Sequence, residues 1–345
     1  MRRIRTLLSA AAVFVAAALI VAFVPTQYVL RAPGAAVTLV GSGLDEPPVI
    51  TDLAGADDAS DGAGQIIATG LDQSGRQTWV TLGSVIVYFL MPDHDVLPRD
   101  PVYASGVTAS LNEEAIHEAQ DDALAAAASA AKIDVVQRAM IQTVRQYGPS
   151  DQLLAPGDFI VAIDDKPMSD ANSVTTYIAS RKVGDQVVVS VLRGVEEQKI
   201  TIPALGASST NTALATLGVA LANGYSYSPH ITVRLSDEQA GPAQGLALSL
   251  VAYASLTSTR LTASGRLVAA VGEVSATGSV AGVAGINEHL ASARNARASM
   301  LIIPRENCRE VVDAGGSMTI VPVSTLAEAI AAAQRPPDSP PASTC

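Results

Sequence analysis

The stretch Gly241-Pro242-Ala243-Gln244-Gly245-Leu246 decides the fold of the C-terminal part of the chain, together with Gly285-Ile286-Asn287-Glu288-His289 further on. Pro242 suits the first turn of a helix, where its missing N–H would have no partner anyway. The apolar residues 246–256 then supply the body of that helix. The first run therefore predicts a tight turn that leads into a buried helix.

The elements around these two runs alternate between strands and helices. Strands are predicted over 231–234, 268–274 and 318–323, and the run 300–308 holds a further strand. A helix is predicted over 287–297, and another begins at Thr325 and stops before Pro336. These elements lie in the segment 206–334, which a proline-rich tail over 335–345 follows.

The two runs resemble the active-site frame of Lon-type serine peptidases, Gly-Pro-Ser-x-Gly-Leu followed by Gly-Gly-Leu/Ile-x-x-Lys. Ala243 stands where that family has its nucleophilic serine, and His289 stands where it has the lysine base. Such a dyad needs a hydroxyl to attack and an amine to take its proton. The last lysine of the chain is Lys199, so the resemblance implies a Lon-like domain without an intact catalytic dyad.

The backbone of the cleft is still expected to resemble the family's. Gly241, Pro242 and Gly245 are retained, and N–H groups at a helix start can steady an oxyanion. Another hydroxyl could in principle pair with His289, and the candidates are Ser236, Ser249 and Ser292. A nucleophile displaced by a helical turn would miss the oxyanion donors, however. We therefore expect His289 to be a partly exposed polar helix residue rather than a base.

Residues 133–205 resemble a PDZ domain. The resemblance is carried by Leu153-Leu154-Ala155-Pro156-Gly157-Asp158-Phe159-Ile160-Val161-Ala162-Ile163, followed by a hairpin, a helix over 169–180 and strands over 187–191 and 198–202. A PDZ domain binds a peptide end as an added strand. No Gly-Leu-Gly-Phe-like run is visible, and the strand Met140-Ile141-Gln142-Thr143-Val144 is the predicted groove lining. The alternative is a PDZ fold that serves only as a spacer.

The N-terminus predicts a signal-anchor. Residues 1–6 form a basic tip with Arg2, Arg3 and Arg5, and residues 7–24 form an apolar run of about the length that crosses a bilayer core. Basic residues before the run place the N-terminus in the cytoplasm and the rest of the chain outside. The alternative is a cleaved signal peptide with a late site at Gly34-Ala35-Ala36.

Residues 25–132 are predicted to be a β-rich segment followed by a helix. Short strands are expected over 37–40, 64–69 and 79–82, with an exposed loop over 45–61. The helix is expected to begin at a capping box formed by Ser110 and Glu113 and to end near Lys132. The whole chain is thus an α+β multidomain protein with an anchor, a β-rich segment, a PDZ domain and a Lon-like α/β domain.

Composition limits the ligands. A formal net charge of −11 argues against nucleic acid, because phosphate recognition needs clustered Lys and Arg. The four histidines lack paired ligand spacing, so no metal is expected, and the absence of a Gly-x-x-x-x-Gly-Lys loop gives no reason to expect ATP or another cofactor. Outside the cytoplasm Cys308 and Cys345 can form a disulfide; otherwise one thiol is buried and the other exposed.

The order of these segments resembles membrane-anchored PDZ–Lon proteins of Gram-positive bacteria. We expect a pseudopeptidase outside the cytoplasm that binds extended peptides or unfolded envelope-protein segments through the PDZ domain and the vacated Lon-like cleft. The first alternative is an ATP-independent serine endopeptidase. The second is an architectural subunit of an active paralogue, and a homo-oligomer would also be compatible with the sequence.

Overall fold

The computed structural model describes residues 2–39, 50–51, 65–74, 79–99, 107–207, 214–228, 232–233, 241–262, 266–311, 318–336 and 345. The predicted loop 45–61, the Ser236 candidate and most of the proline-rich tail lie outside these ranges. The chain forms two compact units. The first comprises residues 1–123 and 233–345, and the second comprises residues 124–232.

The first unit is built on a mixed sheet with the strand order β20-β19-β16-β4-β2-β6 in the described part of the chain. The strands are β2 (Tyr28–Thr38), β4 (Gln65–Ser74), β6 (Asp95–Pro98), β16 (Leu267–Ala270), β19 (Met300–Pro304) and β20 (Thr319–Val323). Strands β4, β16, β19 and β20 run parallel, β2 runs antiparallel to β4, and β6 runs antiparallel to β2. Every residue of β19 is buried, as expected for a parallel strand covered on both faces.

Helices and short strands complete this unit. Helices α5 (Gly245–Thr257), α6 (Ile286–Asn295) and α7 (Leu326–Ala333) lie close to the predicted positions, and the Thr325 hydroxyl caps α7 as predicted. On the α6 side of the sheet, Ile286, Leu290 and Ala293 pack with the strand residues Ile67 and Ala269. The short strands are β1 (Pro25–Thr26), β3 (Ile50–Thr51), β5 (Val80–Thr81), β15 (Thr232–Val233), β17 (Glu273–Val274) and β18 (Val280–Ala281).

The N-terminal segment differs from the prediction in three ways. Its strands β2 and β4 do not form a separate β-rich region, because β4 pairs in parallel with β16 and brings β2 into the same sheet. Residues 82–90, expected to follow a strand, form helix α2 (Leu82–Leu90), which the Thr81 hydroxyl caps. Helix α3 (Val107–Ala130) starts three residues before the predicted cap at Ser110.

Helix α1 (Arg2–Phe23) covers most of the predicted anchor. Among the residues that the structure describes, however, no helix is both long enough and apolar enough to cross a membrane. The predicted transmembrane span over 7–24 is therefore not supported.

The second unit is an antiparallel sheet with the strand order β11-β10-β8-β7-β14, with β9 paired to β8. The elements are β7 (Val136–Val144), β8 (Phe159–Ile163), β9 (Lys166–Pro167), α4 (Ala171–Ala179), β10 (Val187–Arg193), β11 (Glu196–Ile202), β12 (Gly206–Ala207), β13 (Ala215–Thr216) and β14 (Val219–Ser226). The predicted boundary at 205/206 cuts this unit, because β14 pairs with β7 along its whole length. Residues 206–232 therefore belong with the PDZ-like unit rather than the Lon-like one.

The predicted disulfide is present. Cys308 lies in a short 3-10 turn directly after β19 and is bonded to Cys345. The bond closes a loop with a sequence separation of 37, which in the chain-entropy model is worth at most about 4 kcal/mol. It pins the end of the chain to the first unit.

A substitution of Asp158, in the predicted Pro-Gly-Asp turn, tests the packing of the second unit. Its buried carboxylate accepts two hydrogen bonds from Arg193, at 2.8 and 2.7 Å, and one from the Ala155 N–H. Asp158→Ala should lower the free energy of local unfolding by about 2 kcal/mol, because charged hydrogen bonds are lost and the Arg193 cation can only partly return to water. Amide hydrogen exchange of β8 and β10 measures this. The matched control, Asp165→Ala, removes an exposed pair with Lys199 and should leave exchange unchanged; an equal effect of both would contradict the assignment.

Candidate functional site

The turn that carries Ala243 is held by backbone hydrogen bonds. Residues Pro242–Gln244 form a 3-10 turn that runs directly into α5. Gly272 braces it from the strand side: its N–H donates to the Ala243 carbonyl at 2.8 Å, and its carbonyl accepts from the Leu246 N–H at 2.9 Å. A side chain at position 245 would crowd this brace, because a Cβ there would lie 3.3 Å from the Val274 nitrogen. The Gly-Pro-x-x-Gly pattern is thus explained by the geometry of the turn.

Three of the N–H groups at this helix start already form hydrogen bonds within the protein. The N–H of Gln244 donates to the Gly241 carbonyl, the N–H of Gly245 donates to the Pro242 carbonyl, and that of Leu246 donates to Gly272. A substrate carbonyl would have to displace these bonds. The turn therefore does not offer these three N–H groups to a ligand.

His289 is fully buried, with 0% of its surface exposed, so the expectation of a partly exposed residue is wrong. Its Nδ1 lies 2.9 Å from the hydroxyl oxygen of Thr69, which is also buried. Its Nε2 is buried and has no hydrogen-bond partner among the described residues. The side chain at the base position is thus bonded to a strand of the sheet and closed off from solvent.

The strand and helix periods explain why these two side chains meet. Alternate residues of β4 point to the same face, so Thr69 faces α6 as Ile67 does. His289 and Ser292 are three residues apart on α6 and lie on one helix face. His289 meets the Thr69 hydroxyl, and the Ser292 hydroxyl accepts from the Gly70 N–H at 3.2 Å. Helix α6 itself begins at Gly285, whose φ of +79° is the left-handed conformation that favours glycine.

His289 is held in its neutral form. Burial lowers its pKa to about 4, a hydrogen bond with the Thr69 backbone opposes this shift, and the Arg31 cation acts in the same direction as burial. A neutral imidazole has one ring nitrogen that can accept a proton. Neither ring nitrogen of His289 is exposed to solvent in this structure.

Gln244 connects the turn to the same strand. Its Nε2 donates to the Thr69 carbonyl at 3.2 Å, while its buried Oε1 has no partner in the described part of the chain. Thr69 therefore contacts both halves of the frame, Gln244 through its carbonyl and His289 through its hydroxyl. A shallow pocket beside the turn is lined by Ala119, Gln120, Gly241, Gln244, Gly245 and Leu248, so α3 forms one wall of it.

The alternative hydroxyls do not form a second dyad. Ser249 donates to the Gly245 carbonyl one turn back in its own helix, and Ser292 accepts from Gly70. Neither hydrogen-bonds His289 among the contacts of the described residues. Within the same residues, no group of His, Cys, Asp and Glu side chains is arranged to hold a metal ion.

The predicted peptide-binding strand is not a sheet edge. Met140, Ile141, Gln142, Thr143 and Val144 lie in β7, which is flanked by β8 on one side and β14 on the other. A ligand strand can add only to an edge, so the assignment of the groove to residues 140–144 is wrong. In the described part of this sheet the edge strand beside β7 is β14.

Strand β14 has the features needed to receive a peptide. It follows Thr216-Leu217-Gly218, in which Gly218 has a φ of +73° and its N–H donates to the Thr216 hydroxyl. The Arg145 N–H donates to the Gly218 carbonyl, and this register directs the Val219 N–H away from β7. The Asn223 side chain accepts from the Ala171 N–H at the start of α4, which places that helix beside β14. A peptide that paired with β14 would therefore lie next to α4.

Sequence reasoning missed Thr69 and β14 for different reasons. Thr69 lies 220 residues from His289, and only the pairing of β4 with β16 brings the two together. The Leu217-Gly218-Val219-Ala220 run was the available signal for β14. This run lies after the strand over 198–202, which is the last predicted strand of the PDZ-like segment, and so it falls in the next predicted domain.

Two family matches agree with this architecture. Residues 106–204 match the PDZ domain family, and residues 229–335 match the family of the Lon protease (S16) C-terminal proteolytic domain. Together they support a PDZ–Lon-type protein with mixed α/β content, which confirms both resemblances found in the sequence. The structural unit extends the PDZ-like part to residue 232, because β14 lies beyond the matched range.

Solved structures of PDZ domains are similar to part of this chain. One is the PDZ domain of the SdrC-like protein from Listeria monocytogenes, at 25% identity and a TM-score of 0.23, covering 24% of this chain and 86% of that domain. Another is the PDZ domain of the SdrC-like protein from Listeria innocua, at 24% identity and a TM-score of 0.23, covering 24% and 92%. Among curated proteins, none matches the chain.

The burial of His289 predicts an acid-sensitive fold. A folded-state pKa of about 4, below the usual 6.5, means that the unfolded chain binds more protons, so stability falls as the pH drops from 6.5 to 4. The loss should reach about 3 kcal/mol. Burial raises the pKa of Asp121 and Glu288, so their contribution to stability changes with pH in the opposite direction. The difference in stability between wild type and His289→Gln at each pH therefore isolates the contribution of the histidine. Thermal unfolding across this pH range measures it, and parallel curves would contradict the burial.

Restoring the dyad tests the intact frame. We expect Ala243→Ser with His289→Lys to fold and to react weakly with a serine-directed phosphonate at position 243, since burial would keep the amine neutral enough to act as a base. Ala243→Ser alone should stay unlabelled, because an unassisted hydroxyl is a poor nucleophile. Intact-mass spectrometry reads the adduct. A folded double variant that remains inert would show that positions 243 and 289 are not aligned for catalysis.

Proposed function

We propose that this protein is a pseudopeptidase: a PDZ–Lon-type protein that binds polypeptide segments and does not cleave them. The observation that carries the proposal is the state of the dyad positions. Ala243 has no hydroxyl, and His289 is buried, neutral and bonded to Thr69. Acyl transfer by this route needs a nucleophile and a base that the substrate can reach. An ATP-independent endopeptidase would need a nucleophile from elsewhere.

The binding surface of the proposal is the groove between β14 and α4. A peptide in extended conformation would pair with the outward N–H and C=O groups of β14, beginning at Val219, and would lay alternate side chains against α4. Backbone pairing tolerates many sequences, which suits unfolded segments of envelope proteins as ligands. The Lon-like cleft would contribute less than the sequence indicates, because the N–H groups of its turn are already bonded and α3 lines it.

The proposal places the protein at the cell membrane with both units outside the cytoplasm. Its support is the basic tip at Arg2, Arg3 and Arg5, the apolar run that follows, and the bond between Cys308 and Cys345. Disulfides persist in oxidising compartments and are rare in the cytosol. Anchoring near the membrane would hold the β14 groove where newly exported chains are still unfolded.

Fluorescently labelled casein tests binding and cleavage together. Wild-type protein should raise the anisotropy of casein while mass spectrometry finds only intact casein. Val219→Pro removes an N–H of the edge strand that faces away from β7 and should weaken binding roughly three- to tenfold. Val195→Ser, at an exposed site between β10 and β11, is the matched control and should bind normally.

Two outcomes would contradict the proposal. Casein fragments that accumulate with wild type and disappear with His289→Ala would show an active peptidase. Equal binding by wild type and Val219→Pro would show that the β14 edge is not the binding surface.

A further inference from the structure

Helix α2 is apolar on every side and is not buried by the protein. Residues 82–92 contain no charged side chain, and Ser84 is the only hydroxyl besides Tyr88. Within the described structure none of the residues of α2 is buried. Phe89 and Leu90 are 78% and 76% exposed, and Ile86, Val87 and Met91 are exposed beside them. Such a patch marks an interaction surface.

The lack of a polar face indicates what covers α2. A helix that docks into a protein groove has one apolar stripe and an opposite polar face, whereas a helix that is apolar all round is surrounded by a core or by lipid. The core of this protein does not surround α2. In lipid, every face of a helix can be apolar.

The neighbour of α2 extends the same surface. A Cβ at Gly83 would lie 2.9 Å from the Ala22 carbonyl oxygen, so α2 and the end of α1 approach closely through small residues. Close contact through small residues is how helices associate in lipid. The large side chains of α1 are exposed beyond that contact and include Phe14, Leu19, Ile20 and Phe23. The two helices thus present one continuous apolar surface.

Aromatic side chains stand where this surface meets the polar part of the first unit. Trp79 precedes the strand β5 that leads into α2, is 63% exposed, and has the Arg99 guanidinium 5.4 Å from its ring centre. Tyr28 is exposed at the start of β2. Tryptophan, tyrosine and basic side chains favour the headgroup level of a bilayer. Trp79, Tyr28 and Arg99 would therefore lie at the level of the lipid headgroups.

We propose that α2 lies in the surface of a phospholipid bilayer, with Phe89 and Leu90 in the acyl region and Trp79 at the headgroups. With nine residues α2 is about 14 Å long, too short to cross, so it would dip into one leaflet beside α1. This inference rests on the membrane location in the proposed function. It adds a second contact, which would fix the orientation of the first unit against the bilayer.

The single tryptophan provides the test. The full chain is placed in nanodiscs of phosphatidylcholine and phosphatidylglycerol in which some chains are brominated near the headgroup or near the methyl end. Bromine near the headgroup should quench Trp79 more strongly than bromine near the methyl end. Phe89→Asp with Leu90→Asp should reduce the quenching several-fold, and Val195→Asp, which charges an equally exposed residue of the other unit, should not.

Flotation of the same samples on a density gradient separates the two claims. One outcome is that the chains float with lipid, but bromine does not quench Trp79 and acrylamide does. This would overturn the role of α2 without contradicting the membrane location in the proposed function. Chains that do not float would overturn both. A third outcome is that acrylamide cannot reach Trp79 at high protein-to-lipid ratio but can reach it when the protein is diluted in lipid, with no quenching by bromine at either ratio. That result would mean that a second copy of the chain covers the surface, and it would also overturn the proposal.

Discussion

The hydrogen bond between the Thr69 hydroxyl and His289 Nδ1 is the constraint on which the state of this site depends. It joins a strand near the N-terminus of the chain to a helix near the C-terminus, inside a core that excludes water. Buried polar groups without partners are costly, so the pair stabilises the packing of α6 on β4 only while both members are present. The His289 ring that forms this bond is fully buried.

The rest of the frame is consistent with binding rather than catalysis. The turn that carries Ala243 uses the N–H groups of Gln244, Gly245 and Leu246 in hydrogen bonds within the protein. Gln244 donates to the Thr69 carbonyl and His289 bonds the Thr69 hydroxyl, so the turn and helix α6 both contact one strand residue. The buried packing of α5, α6 and the sheet needs neither a serine at position 243 nor a lysine at position 289.

Much of the fold follows from local patterns in the sequence. The helices α5, α6 and α7 and the PDZ-like strands have clear periodicity and caps, and Pro156-Gly157-Asp158 marks its turn. What could not be predicted depends on pairing between distant segments. The entry of β4 into the Lon-like sheet and of β14 into the PDZ-like sheet are such pairings, and they move domain boundaries without a change in composition. For α2, a short apolar run does not distinguish a helix from a strand.

A nitrogen-15 NMR titration of the histidine side chains tests the sealed state of His289 most directly. His289 should show a neutral imidazole that keeps one tautomer from neutral pH down to about pH 5, since burial lowers its pKa to about 4. Thr69→Val should change the Nδ1 shift and assign that resonance. A His289 resonance that titrates near the ordinary pKa of about 6.5 and ignores Thr69→Val would show that the ring is open to solvent and free to act as a base.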